Sequence, residues 1–262
     1  MNIVIITGAS SGMGHEFALR MDKIYHHIDE IWLIARRKEK LDKLAEQIKI
    51  KTRTIQLDVS DEDSIKQFSW LLSMAKPKIR MLINCAGYGL MGRFLDIPIE
   101  EQIGMLRVNC EGLTRMTYEC LPYMKKNSRI IQLASSAAFL PQNNFTVYAA
   151  SKAYVLSFSR ALREELKNRK IYVTAVCPGP VKTEFFDRAE KYGTTLSIKK
   201  MTEVSVECVV TDALRASAAK RAMSVCSIPI RAFWVLTKIL PNDVIFAAME
   251  LLKIYQKKKD RK

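Results

Sequence analysis

Short apolar runs alternate with longer amphipathic segments over the first two-thirds of the chain. The apolar runs are continuous rather than alternating in polarity, which is typical of strands that are covered on both faces, as in a parallel sheet. We predict strands at 3–6, 31–35, 54–57, 81–84, 130–134 and 171–177, and helices at 14–25, 38–49, 61–74, 100–124 and 148–166. This order predicts an α/β fold built on a doubly wound parallel sheet.

The pattern changes after Pro178. We predict a long loop or lid with short helices at 181–200, another helix at 203–219, and two helices around Pro241 within 228–257. Apolar stripes in the last two helices are typical of core or oligomer contacts, although a helix lying on a membrane surface has the same pattern. We therefore expect a single domain over 1–262, with a substrate lid and helix at about 180–227 and a helical, basic C-terminal extension at 228–262.

Composition places the chain among globular proteins. With 262 residues, 48% hydrophobic and 26% charged, the chain can bury a full core, which excludes a disordered or a small disulfide-stapled protein. The six cysteines form no C-x-x-C pair, and the sequence contains no H-E-x-x-H. The sequence therefore predicts no metal site.

Location and partners follow from charge and from the N-terminus. The chain begins with an apolar run that lacks a basic n-region and a cleavage site, and its longest uncharged stretch, 130–151, contains polar residues and Pro141. We therefore expect a cytoplasmic protein without a transmembrane helix. The net charge of +15 is compatible with anionic partners. Because the basic residues are dispersed outside the tail at 257–262, we expect a solvated surface and no nucleic-acid site.

Glycines are concentrated between the first predicted strand and the first predicted helix. Gly8, Gly12 and Gly14 form a G-x-x-x-G-x-G pattern. Glycines allow the backbone to approach a ligand closely, and N–H groups at the start of a helix can face a pyrophosphate. The loop therefore predicts a Rossmann-type, dinucleotide-binding sheet. It also fits the G-x-S-x-G turn of an α/β-hydrolase around Ser10, but that fold needs a histidine far downstream, and all three histidines lie within 17 residues of Ser10.

The second predicted strand ends in Arg36 and Arg37. At this place in a dinucleotide fold an acidic residue binds the ribose of NAD, whereas a cation accommodates the 2′-phosphate of NADP. A planar guanidinium fork suits a phosphate. We predict NADP(H) as the cofactor; the alternative is a solvated basic run that opens the next helix.

Tyr148 and Lys152 form a Y-x-x-x-K pair on one face of a predicted helix. The pair alone carries little weight, because a second one, Tyr255 to Lys259, occurs in the basic tail. Only Tyr148 has a serine, Ser135, thirteen residues earlier at the end of an apolar strand. Taken singly, Ser135 could merely cap that strand.

Together these motifs resemble those of classical short-chain dehydrogenases/reductases, and the chain is similar to their bacterial carbonyl-reductase-like subgroup. The resemblance covers residues 2–185. It rests on the glycine loop, Asn84-Cys85-Ala86-Gly87, Asn109, Ser135, Tyr148 with Lys152, and Pro178-Gly179. Family members usually have asparagine where Cys85 stands, so one side-chain hydrogen bond to the cofactor is in doubt.

The resemblance implies a catalytic set of Asn109, Ser135, Tyr148 and Lys152. Tyr148 would protonate the carbonyl oxygen while hydride arrives from the nicotinamide, Ser135 would orient that oxygen, and Asn109 would hold a water that links Lys152 to solvent. Without the family context, Asn109 could be a buried helical asparagine. An ammonium about 4 Å away can lower the pKa of a phenol from about 10 toward neutrality, so we expect Lys152 to lower the pKa of Tyr148.

The cofactor is expected along the carboxyl ends of the strands. The resemblance implies that Asp58 lies near the adenine and Pro178 near the nicotinamide. Asp58 could instead be an ordinary turn residue. The residues expected to bind the cofactor are Gly8, Ser10, Ser11, Gly12, Met13, Gly14, Arg36, Arg37, Asp58, Val59, Asn84, Ala86, Gly87, Tyr148, Lys152, Pro178, Gly179, Val181 and Thr183.

The loops at the same edge of the sheet carry many apolar side chains. If they face the cleft, they favour a bulky apolar ketone such as a steroid, bile acid or long acyl chain, with Ser135, Phe139, Tyr148 and Phe185 at the substrate; core packing would explain them equally well. The expected activity is thus an NADP(H)-dependent carbonyl or hydroxysteroid reductase. The alternatives are a 3-oxoacyl-type reductase and a non-catalytic NADP-binding regulator. The resemblance also implies a homodimer or homotetramer, and the basic C-terminal helices allow peripheral membrane contact.

Overall fold

The computed structural model describes residues 1–24, 27–181, 183–193 and 203–248. The predicted basic extension beyond residue 248, and the part of the predicted lid at 194–202, lie outside the described residues.

Seven parallel strands form one sheet in the order β3-β2-β1-β4-β5-β6-β7. The strands are β1 Asn2–Thr7, β2 Glu30–Ala35, β3 Thr52–Gln56, β4 Lys78–Asn84, β5 Met124–Leu133, β6 Tyr172–Val176 and β7 Met223–Ser224. Every residue of β2 and all but the first of β1 are buried, as the continuous apolar runs predict. The doubly wound α/β fold is confirmed.

Helices cover both faces of the sheet. They are α1 Gly12–Ile24, α2 Lys38–Ala45, α3 Glu62–Ala75, α4 Ile99–Leu106, α5 Leu113–Cys120, α6 Thr146–Glu165, α7 Phe185–Ala189, α8 Val206–Ala218 and α9 Ile228–Ile239. One buried cluster joins the sheet to α1, α2 and α8, and a second joins the opposite face to α3, α5 and α6. Residues 242–248 form a further helical segment after α9.

The observed elements differ from the predicted ones most clearly in three places. The helix predicted over 100–124 is divided into α4, a π-helical turn at Arg107–Gly112, and α5. The fifth strand begins at Met124, whereas the prediction began at residue 130. The prediction missed the first half of the strand because residues 125–128 are polar. The strand β7 was not predicted, since two residues are too few to show a period.

The strand order reverses between β1 and β4, which are neighbours at the centre of the sheet. In doubly wound sheets, ligands bind in the crevice at the carboxyl ends of the strands at such a switch point. The connections that follow β1, β2, β4 and β5 all open onto this edge. None of the helices in the described part of the chain is long and apolar enough to cross a membrane.

Candidate active site

The glycine loop lies where β1 passes into α1. Gly8 has a φ of +67°, and a Cβ there would stand 2.7 Å from the backbone nitrogen of Ala86. A Cβ on Gly14 would stand 2.3 Å from the carbonyl oxygen of Gly8. Only glycine fits these two positions, because both contacts are with backbone that cannot move aside.

A cleft of about 330 Å³ opens in front of this loop. Its walls come from the glycine loop, the ends of β2 and β3, the turn after β4, and the start of α7. The lining residues are Gly8, Ser10, Ser11, Gly12, Met13, Gly14, Ile34, Ala35, Arg36, Arg37, Leu57, Asp58, Val59, Cys85, Ala86, Gly87, Tyr88, Val108, Thr183, Glu184, Phe185 and Arg188. Most of the residues predicted to bind the cofactor therefore surround one cavity.

The end of the cleft beside the glycine loop is basic. The Arg37 guanidinium donates hydrogen bonds to the hydroxyl oxygens of Ser10, at 3.1 and 3.3 Å, and Ser11, at 2.8 Å. Arg36 lies 3.8 Å from the carboxylate of Asp58. The structure thus places both arginines at the cleft, with Arg37 fixed against the loop that follows β1.

The predicted catalytic side chains converge beneath the cleft from two elements. Ser135 follows β5, whereas Tyr148 and Lys152 lie one turn apart in α6. The Ser135 side chain hydrogen-bonds the Tyr148 hydroxyl and also accepts a hydrogen bond from the backbone N–H of Ala137 at 3.1 Å. The Lys152 Nζ lies 5.7 Å from the centre of the Tyr148 ring and donates to the carbonyl oxygen of Leu133 at 2.7 Å. Ser135 therefore contacts Tyr148 as well as capping its own turn.

The expected lowering of the Tyr148 pKa is not found for this set of side chains. Burial raises the pKa of Tyr148 to about 12, and the hydrogen bond from Ser135 only partly offsets this. Burial also lowers the pKa of Lys152 to about 8. The expectation was wrong because it counted the attraction of an ammonium and left out the desolvation of both groups. The buried phenol is held in its protonated form.

Asn109 lies in the π-helical turn and is buried. Its Nδ2 donates to the Tyr88 carbonyl at 2.9 Å and to the Ser151 hydroxyl at 3.0 Å, while its Oδ1 accepts from the Tyr88 N–H at 3.0 Å. A Cβ on Gly87 would lie 2.9 Å from Asn109 Oδ1 and 3.4 Å from Lys152 Nζ. Asn109 thus fixes the cleft wall next to Lys152. Single-turn π segments are frequent at functional sites.

Six of the expected cofactor residues do not line the cleft: Tyr148 and Lys152, described above, and Asn84, Pro178, Gly179 and Val181. Asn84 is buried, and its side-chain Nδ2 donates hydrogen bonds to Thr117 and Gln132 at 3.0 Å each. In the segment after β6, the carbonyl oxygen of Pro178 accepts a hydrogen bond from the backbone N–H of Ser136. Val181 forms an isolated β-bridge with Val204, and Gly179 lies between Pro178 and Val181 in the sequence. Thr183 is the member of this segment that lines the cleft.

Aromatic side chains surround Tyr148. Its ring stacks on Phe145 with centres 4.1 Å apart, and Phe185 lies 5.5 Å away. Phe185 also lines the cleft, so it is next to both the cavity and the Tyr148 ring. The other predicted substrate residue, Phe139, packs instead near Phe233 of α9, at 6.4 Å.

Two charged residues of the cleft, Glu184 and Arg188, were missed by the sequence analysis. Tyr88 lies under the Arg188 guanidinium, 3.6 Å from the ring centre, and Glu184 pairs with Arg37 at 3.0 Å. Glu184 precedes α7 and lies nearly 150 residues from Arg37 in the sequence, and Arg188 lies within α7, 100 residues from Tyr88. Their spacing from the motifs carries no signal, because it is set only by the folded sheet.

Comparisons with known proteins agree with this architecture. A family model for the short chain dehydrogenase matches residues 2–192. The chain is 34% identical over 193 residues to sulfoacetaldehyde reductase 2 of Chromohalobacter salexigens, covering 70% of this chain and 74% of the relative. It is 32% identical over 190 residues to the very-long-chain 3-oxoacyl-CoA reductase of Homo sapiens, covering 69% and 59%.

Among solved structures, a short-chain dehydrogenase from Sphingobium yanoikuyae in complex with NADPH aligns with a TM-score of 0.77 and 27% identity, covering 97% of this chain and 95% of that one. The fold and motifs therefore define an oxidoreductase built on a dinucleotide-binding sheet. The chain belongs to the short-chain dehydrogenase family, which confirms the resemblance seen in its motifs.

Proposed function

We propose that this protein is an NADP(H)-dependent oxidoreductase that interconverts a ketone and a secondary alcohol on a bulky apolar substrate. One observation carries the proposal. Tyr148 is protonated, is hydrogen-bonded to Ser135 and lies near Lys152. It packs next to Phe185 of the cleft wall, and the same cleft carries Arg36 and Arg37.

The cleft fits a phosphorylated dinucleotide. A Cβ on Gly12 would meet only the side chain of Thr183, at 3.5 Å, so the backbone at the start of α1 is open to a ligand. The N–H groups of Gly12 and Met13 at this helix N-terminus suit a pyrophosphate. Arg37, with Arg36 beside it, would take the 2′-phosphate, because a guanidinium fork binds phosphate through paired donors. The bound coenzyme supplies the hydride.

The chain's own residues handle the proton. Since burial keeps the Tyr148 hydroxyl protonated through neutral pH, Tyr148 acts as the general acid toward a carbonyl oxygen. Ser135 is hydrogen-bonded to that hydroxyl and orients the same oxygen. Lys152, with a pKa of about 8, can return a proton to Tyr148 after turnover. Asn109 fixes the wall beside Lys152, next to which we place the water that links Lys152 to solvent.

The substrate class is inferred from the apolar surroundings of Tyr148. Leu90, Met91 and Phe145 are buried around the phenol, with Phe185 packed against them. These apolar surroundings of the proposed general acid support a hydroxysteroid, bile-acid-like or long acyl ketone as substrate. The 3-oxoacyl type is an alternative, to which the similarity to a very-long-chain 3-oxoacyl-CoA reductase lends support. A non-catalytic NADP-binding regulator is the other alternative, and the assembled catalytic set speaks against it.

The test is turnover. NADPH oxidation with a panel of bulky and small ketones should be detectable for the wild type and fall by about 10²- to 10⁴-fold in Tyr148→Phe, the usual contribution of a general acid. NADPH affinity should stay within about twofold in that variant, because its ring remains in place. Activity that survives in Tyr148→Phe would overturn the proposed mechanism. Inactivity of the wild type on every ketone and alcohol would favour the regulator.

We also propose a cytoplasmic homo-oligomer that can contact membranes. Tyr118 of α5 and Tyr154 of α6 are 75% and 41% exposed, which supports a subunit contact along these two helices. In α9, Ile228 and Ile239 are 80% and 72% exposed. This apolar face, on a chain of net charge +15, supports peripheral contact with an anionic lipid surface.

A further inference from the structure

Glu184 joins the start of α7 to the basic end of the cleft. Its carboxylate accepts a hydrogen bond from Arg37 Nη1 at 3.0 Å and another from Lys40 Nζ at 2.7 Å. Arg37 and Lys40 flank the start of α2, so the two contacts tie α7 to the segment that follows β2. We call these contacts the Glu184 bridge.

We propose that Glu184 competes with the 2′-phosphate of the coenzyme for Arg37 and Lys40, so that binding of the phosphorylated coenzyme breaks the Glu184 bridge and moves Phe185 from its place over Tyr148. This inference rests on the proposed function, which assigns Arg37 to the phosphate. It goes further by giving the phosphate a second effect, at the other end of the cleft.

The competition follows from the donors that are shared. Nε and Nη2 of Arg37 donate to Ser10 and Ser11, so Nη1, which donates to Glu184, is the group left for a phosphate. Both cations hold the pKa of the Glu184 carboxyl below its usual range, and it is therefore charged at neutral pH. Since about half of the Glu184 side chain is exposed, a phosphate dianion can displace it at modest cost.

The coupling to Tyr148 follows from chain connectivity. Phe185 is the next residue after Glu184 and the first residue of α7. Its ring lies 5.5 Å from that of Tyr148 and lines the cleft. Because the two residues are adjacent, a movement of the start of α7 that accompanies the release of Glu184 carries Phe185 with it and opens the approach to the phenol. A coenzyme without the 2′-phosphate leaves the bridge intact.

The test compares coenzyme binding in the wild type, Glu184→Gln and Asp187→Asn. Asp187 is exposed in the same helix, so Asp187→Asn removes an equal charge without touching the bridge. Glu184→Gln should bind NADPH about three- to tenfold more tightly, the worth of one or two exposed ion pairs, with NADH affinity changed less than about twofold. Asp187→Asn should change neither. Unchanged or weaker NADPH binding in Glu184→Gln would overturn the competition.

A kinetic measurement tests the coupling. With NADH the bridge persists in the wild type, so Glu184→Gln should raise kcat/KM for the ketone by a factor of about three or more with NADH, and should leave it unchanged with saturating NADPH. An equal effect with both coenzymes would contradict the coupling. If Arg37→Ala leaves NADPH affinity unchanged, the assigned phosphate site fails, and this result is distinct from a failure of Glu184→Gln in a protein whose Arg37 does bind the phosphate.

Discussion

Burial shifts the pKa values of the two titratable side chains of the proposed catalytic set in opposite directions. It raises the pKa of Tyr148 to about 12 and lowers that of Lys152 to about 8, because the charged form is the one that desolvation penalises in each case. Both shifts favour neutral groups in the folded protein. The catalytic pair therefore stabilises the fold least when Lys152 is charged.

Stability should report the Lys152 shift directly. Between about pH 8 and the unfolded value of 10.5, the unfolded chain holds more protons on Lys152 than the folded protein does, so folding becomes more favourable as pH rises. Relative to Lys152→Met, the wild type should gain up to about 1.4 kcal/mol of unfolding free energy per pH unit in this window. Denaturant unfolding of both proteins at pH 7 and pH 9.5 measures it. A difference independent of pH would contradict the shift.

Gly8 and Gly12 provide a matched pair of substitutions. Both have positive φ, +67° and +54°, but a Cβ on Gly8 meets the Ala86 backbone at 2.7 Å, whereas one on Gly12 meets only the Thr183 side chain at 3.5 Å. Gly12→Ala should cost about 1 kcal/mol of stability from the backbone conformation alone, and Gly8→Ala about 3 kcal/mol, since it also forces strands β1 and β4 apart. Equal losses of stability in the two variants would show that the close approach of Gly8 to the Ala86 backbone adds no cost.

Some structural elements could be predicted from the sequence, and others could not. The buried strands could be predicted because a strand covered on both faces needs a continuous run of apolar residues. The π-helical turn around Asn109 could not be predicted, because the amphipathic pattern continues without interruption from α4 through this turn into α5. The glycines and the Tyr148–Lys152 pair were predictable because their chemistry is local. Glu184 and Arg188 were not predictable, because only the folded chain brings them to Arg37 and Tyr88.

A buried polar network joins three elements under the cleft. Asn84 of β4 donates to Gln132 of β5 and to Thr117 of α5, and Gln132 Nε2 donates to Thr117 at 3.1 Å. Asn84→Leu or Gln132→Leu alone should each cost about 3 kcal/mol, because a buried partner loses its hydrogen bond. The double variant should lose less than the sum of the two, since both partners are then apolar. Denaturant unfolding of the wild type, the two single variants and the double variant gives the double-mutant cycle. Strictly additive losses of stability would contradict the network.

At the scale of the whole molecule, the chain combines a large positive net charge with an exposed apolar helix face. Only Ile230 of α9 is buried, and the exposed residues of this helix and the segment after it include Ile228, Val235, Leu236, Ile239 and Val244. The net charge of +15 would draw this face toward an anionic bilayer, where its apolar side chains could insert. Long-range attraction of this kind weakens as salt shortens the screening distance.

Co-sedimentation with phosphatidylserine vesicles should therefore show binding that falls as salt is raised and that is weaker with zwitterionic vesicles. The double variant Ile228→Asp/Ile239→Asp should reduce binding by about tenfold or more, because two charged groups then face the lipid. The matched control is Leu95→Asp, which places the same charge at a residue that is 91% exposed but lies outside α9. If both variants reduce binding equally, the attraction is general to the charged surface and α9 has no special part in it.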